Sequence, residues 1–101
     1  MVSKEEVLKV LKNVYDPEIP VNVVDLGLIY EVEVDEKNNV SIKMTLTAPG
    51  CPLGVFLTKM VEDAVKEGIP EVNDVKVELV WDPPWTPDRM SKEAKQLLGL
   101  E

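Results

Sequence analysis

The only cysteine of this chain, Cys51, stands in the run Thr47-Ala48-Pro49-Gly50-Cys51-Pro52-Leu53, and no histidine occurs among the 101 residues. The run joins a predicted strand to a predicted helix. Backbone dipoles at a helix start favour an anionic sulfur, so a thiolate forms easily there. A thiolate can attack an electrophile or bind a metal. Cysteine hydrolases pair the thiol with a histidine, which is missing here. Histidine-containing zinc and non-haem iron sites are excluded for the same reason.

Two carboxylates also invite a chemical reading. Asp16 opens Asp16-Pro17-Glu18-Ile19-Pro20, and Asp25 lies in Val24-Asp25-Leu26-Gly27. A general acid and base could be drawn from them, although nothing in their spacing singles that out. Their plainer reading is structural, Asp25 as a turn residue and Asp16 as a helix terminator. The chain has no Gly-x-x-x-x-Gly-Lys-Ser/Thr phosphate loop, no Gly-x-Gly-x-x-Gly turn and no Cys-x-x-Cys redox pair. An autonomous enzyme is therefore not expected. One sulfur cannot fill the four positions that protein thiolates normally occupy on an iron–sulfur cluster. A metal site at Cys51 needs ligands from a second copy, a small thiol or a receiving protein.

The elements that must position these residues are legible from periodicity. Ser3 and Glu6 form a capping-box signature, and Val7, Leu8, Leu11, Val14 and Tyr15 mark one helical face. This helix should end before Asp16-Pro17, since a residue preceding proline is pushed out of the helical region. Asn22 and Gly27 bracket a single helical turn. Leu28, Tyr30, Val32 and Val34 then alternate with Ile29, Glu31, Glu33 and Asp35. Val40, Ile42, Met44 and Leu46 alternate with Ser41, Lys43, Thr45 and Thr47. This reads as an antiparallel hairpin with Val34 opposite Val40 and Glu31 opposite Lys43. A second helix spans about Pro52 to Glu67, its stripe formed by Leu53, Phe56, Leu57, Met60, Val61, Ala64 and Val65. A third strand places Val75, Val77, Leu79 and Trp81 inward. Ser91 starts a short last helix with Leu97 and Leu98 inward.

Each strand has one polar or mostly polar face, so helices should cover only the other. The expected fold is α+β, a two-layer sandwich of order α-β-β-α-β-α with a small three-stranded mixed sheet, spanning 1–101 as one domain. At this length a chain buries roughly 65% of the surface it exposes when unfolded. One cysteine fits a reducing compartment, and no run approaches the length of a membrane span, so a cytoplasmic protein is expected. Eleven basic against nineteen acidic residues give a net charge of -8, which opposes nucleic-acid backbones and anionic membranes. Plentiful charge with one glutamine leans toward a thermophile-like composition.

The helix between the second and third strands should make those strands parallel. Their C-terminal ends, with the start of the first strand, then gather three segments at one edge: 16–27, 47–52 and 82–87. Ligand sites favour such edges. Trp85, set among prolines, either clamps the tail or offers a contact surface.

The segments Asp16-Pro17-Glu18-Ile19-Pro20, Val24-Asp25-Leu26-Gly27-Leu28-Ile29-Tyr30, Thr47-Ala48-Pro49-Gly50-Cys51-Pro52-Leu53 and Trp81-Asp82-Pro83-Pro84-Trp85-Thr86-Pro87-Asp88-Arg89-Met90-Ser91 resemble the SufT/PaaD-like family of iron–sulfur cluster assembly domains. The resemblance covers essentially the whole chain, with four motifs in order. It implies a factor that helps build or deliver clusters to target proteins, and it maps the family's aspartate to Asp25 and its cysteine to Cys51. On this reading Cys51 is a transient ligand for iron or a cluster shared with a partner, at a docking surface comprising Asp16, Glu18, Asp25, Thr47, Gly50, Cys51, Pro52 and Trp85. The implied partners are iron–sulfur assembly proteins and apo-targets, with a homodimer among the arrangements. The alternative is an adaptor without metal, in which Cys51 is structural.

Overall fold

A computed structural model describes residues 2–16, 19–46 and 54–99. Helix α1, Lys4–Leu11, opens with the expected capping box. The Glu6 amide donates to Ser3 Oγ at 3.1 Å and the Ser3 amide donates to Glu6 Oε1 at 3.2 Å. These bonds satisfy two amide groups at the helix start that lack helical partners. Val7 and Leu11 are fully buried, and Val14 follows them inward. Tyr15 does not, being 54% exposed. The chain leaves the helix after Leu11 because residues 14–16 pair with 21–23 instead: the Val23 amide donates to the Val14 carbonyl and the Asp16 amide to the Val21 carbonyl.

The sheet comprises β1 (Ile29–Val34), β2 (Asn39–Met44) and β3 (Asp74–Leu79), with β2 central. β1 and β2 are antiparallel in the expected register, Val34 facing Val40 and Glu31 facing Lys43. The latter pair closes an exposed ion pair of 3.5 Å. A bulge between Ile29 and Glu31 breaks the alternation, so Tyr30 is half-buried rather than in the core. β2 and β3 are parallel, joined through helix α2, Gly54–Gly68. Leu57, Val61 and Val65, at i, i+4 and i+8, form the buried edge of α2. Phe56 is 58% exposed despite its place on the expected stripe. In the first turn of α2, Val55 and Phe56 thus face away from the core while Leu57 enters it.

β3 ends at Leu79, and Trp81 is 46% exposed where continued alternation predicts it inward. A 3-10 turn at Pro87–Arg89 leads into helix α3, Lys92–Leu97. Ser91 caps α3, its Oγ accepting from the Ala94 amide at 3.2 Å. Ala94 is buried and Leu98 half-buried, but Leu97 is exposed. Elements run α-β-β-α-β-α, and the helices cover one face of a mixed sheet whose other face carries Glu31, Glu33, Ser41 and Lys43. Among the described residues no helix is long and apolar enough to cross a membrane.

Candidate functional site

The turn before β1 is built by one side chain. Asn22 Oδ1 accepts from the amides of Val24 and Asp25, at 3.0 and 2.9 Å, and its Nδ2 donates to Asp25 Oδ2 at 2.6 Å. The Leu26 amide returns to the Asn22 carbonyl, completing one helical turn. Gly27 ends it at φ 79°, in the left-handed region that glycine enters without strain. The half-buried Asp25 carboxylate is therefore oriented by an amide group, and its backbone faces a second segment.

That segment is the strap from Asp82 to Ser91. Its Asp82–Pro83 peptide is cis. Trp85 Nε1 donates to the Leu26 carbonyl at 2.6 Å, and the Ser91 amide donates to the Asp25 carbonyl at 2.7 Å. Tyr30 Oη donates to the Pro83 carbonyl at 2.8 Å, and the Arg89 guanidinium lies over the Tyr30 ring, 4.7 Å from its centroid. Gly27 lets the Arg89 backbone close down: a Cβ there would meet the Arg89 carbonyl carbon at 2.7 Å. The indole of Trp85 packs half-buried on the core and so clamps the strap.

Two of the three segments expected at this edge thus meet directly. The C-terminal end of β2 lies beside them, the Thr45 amide donating to the Leu28 carbonyl and the Val80 amide to the Met44 carbonyl, while the third segment itself is outside the described residues. Asp25 and Trp85 come together. Asp16 sits in the ladder after α1, its Oδ1 accepting from the Ile19 amide at 3.1 Å. Asp25 thus shapes a turn, as its plainer reading has it, whereas Asp16, read as a helix terminator, lies beyond the end of α1 at Leu11 and shapes the turn that follows. Glu18, Thr47, Gly50, Cys51 and Pro52 lie outside the described residues. Among the described residues, no group of three or more Asp, Glu or Cys is placed to hold a metal ion. The residues that sequence reasoning missed are Tyr30 and Arg89. The available signal was that Arg89 is the sole arginine of the chain.

The same fold and length recur in known proteins. The chain matches the family model of the iron–sulfur cluster assembly protein over residues 4–79. It belongs to the iron–sulfur cluster assembly protein family. It is 46% identical to the Fe-S protein maturation auxiliary factor YitW of Bacillus subtilis, over 97% of this chain and 95% of that protein. It is also 46% identical to the Fe-S protein maturation auxiliary factor SufT of Staphylococcus aureus, over 86% and 98% respectively. A crystal structure of a domain of unknown function from Bacillus anthracis superposes with a TM-score of 0.93, at 42% identity, over 97% of this chain and 92% of that one. The SufT resemblance read from four motifs is thereby established. It places this chain among iron–sulfur cluster assembly proteins.

Proposed function

We propose that this protein assists the maturation of iron–sulfur proteins by helping to deliver a cluster, with Cys51 as a transient ligand and the strap edge as the docking surface. The observation that carries the reading is family membership over residues 4–79. The described geometry supports it. Four contacts fasten the strap to the Asp25–Tyr30 segment, beside the strand end from which the Cys51 run departs. A fixed platform suits partner docking, and a metal held by one sulfur of this chain is easier to pass on than one closed by four protein ligands. The cluster or iron is cargo, completed by ligands from an assembly protein, an apo-target or a second copy. No turnover chemistry belongs to the chain itself.

Anaerobic reconstitution with iron and sulfide, followed by transfer to an apo-ferredoxin, tests this. Cys51→Ser should lose the cluster absorption and slow the transfer. An unchanged spectrum and rate would remove Cys51 as a ligand. If Cys51→Ala still captured its partners at low iron, the adaptor reading would take its place.

A further inference from the structure

A cleft of about 400 Å³ opens at the strap edge, lined by Gly27, Ile29, Tyr30, Pro83 and Arg89. Its size falls within the range that holds small ligands or one side chain of a partner. Three of its walls are apolar or aromatic, and its single cation is Arg89. The guanidinium is exposed and stacked on the Tyr30 ring. Among the described residues it takes part in no ion pair, although acidic residues outnumber basic ones nineteen to eleven. Its five N–H donors form a fork that matches a carboxylate. Its place over the ring holds the guanidinium without consuming its donors. Tyr30 is in turn held by its bond to Pro83, and the Arg89 backbone by its close approach to Gly27.

We propose that this cleft is a carboxylate-binding subsite, in which Arg89 grips the two oxygens and Ile29, Tyr30 and Pro83 receive the group that carries them. One guanidinium against apolar walls suits a planar monoanion. A phosphate dianion would need a second cation, which the lining does not supply. The carboxylate can arrive on a free organic acid or on an acidic side chain of a partner protein. The subsite is independent of any role for Cys51.

Nuclear magnetic resonance titration of the full chain tests the assignment without iron. Benzoate represents the free acid and acetyl-Gly-Glu-Gly-amide the side chain; benzamide, the glutamine peptide and inorganic phosphate are the controls. Either carboxylate should saturably shift the amides of Gly27, Ile29 and Tyr30 and the Arg89 Nε signal, while the neutral controls should not. The tighter of the two identifies the source. Arg89→Gln should weaken binding about tenfold or more, the loss of a charge-assisted hydrogen bond. Arg89→Lys, which keeps a cation over the ring, should fall between, and Tyr30→Phe should retain binding. Phosphate binding as tightly as benzoate, no saturable shift by either carboxylate at millimolar concentration, or unchanged affinity in a folded Arg89→Gln protein would each overturn the proposal.

Discussion

Trp85 Nε1 donates to the carbonyl of Leu26 at 2.6 Å, across 59 residues of sequence. The acceptor lies in the last turn before β1, and the donor lies in a proline-rich run with little regular structure of its own. This bond and the half-buried indole position a segment that no helix or strand organises. Trp85→Phe keeps most of the packing and removes the donor. It should lower unfolding free energy by about 1–2 kcal/mol, because the Leu26 carbonyl is left short of a partner. Urea unfolding followed by circular dichroism measures it. A loss below the error of the method would show that the indole serves packing alone.

Gly27 and Gly99 make a matched pair. Both have positive φ, 79° and 74°. A Cβ on Gly27 would run into the backbone of Arg89, whereas one on Gly99 meets nothing within 4 Å. Gly27→Ala therefore combines backbone strain with a clash that only a shift of the strap can relieve, and should cost at least about 2 kcal/mol. Gly99→Ala incurs the strain alone, with open space around the added Cβ, and should cost about 1 kcal/mol. Equal melting temperatures for the two variants would show that the strap is not pressed on Gly27.

Where period and capping act locally, the structure follows the sequence: the Ser3–Glu6 box, the Val34–Val40 register and the Ser91 cap all stand as expected. The misses share a physical origin. Tyr15 leaves the helical stripe because its neighbours Val14 and Asp16 bond to Val21 and Val23. Tyr30 falls out of alternation at a bulge, and Trp81 lies past the point where β3 ends. Each departure lies where a regular element ends or is interrupted, which periodicity alone does not encode. The candidate site was legible as a place, since strand direction alone brings residues 16–27 and 82–87 to one edge. Its cleft was not, because the stacking of Arg89 on Tyr30 needs the bulge and the strap together.

Acid should loosen the hairpin turn before it reaches the core. Hydrogen bonds from the Asn39 backbone amide and side chain, chiefly, hold the Asp35 carboxyl below its ordinary value, with a further bond from the Lys37 amide. A carboxylate whose folded pKa is depressed adds stability above its unfolded value and loses it as pH falls through the folded one. The Asp35 contribution should therefore be present at neutrality and fade below about pH 4. Asp35→Asn should flatten this part of the stability–pH curve. Identical acid limbs for the two proteins, measured by urea unfolding from pH 2 to 7, would assign the loss to other groups.

Phe56 and Leu57 are neighbours on α2 with opposite environments, 58% and 2% exposed. Both lie on the apolar stripe by sequence, so the stripe alone predicts similar costs for their removal. The fold predicts otherwise. Leu57 packs in the cluster with Val61 and Val65, and Leu57→Ala leaves a cavity that neighbouring side chains only partly fill. Its cost should be about 2–5 kcal/mol. Phe56→Ala removes a ring that is mostly in water and should cost less than about 1 kcal/mol. If the two costs came out alike by urea unfolding, Phe56 would be buried in solution, against the 58% exposure it has in this fold.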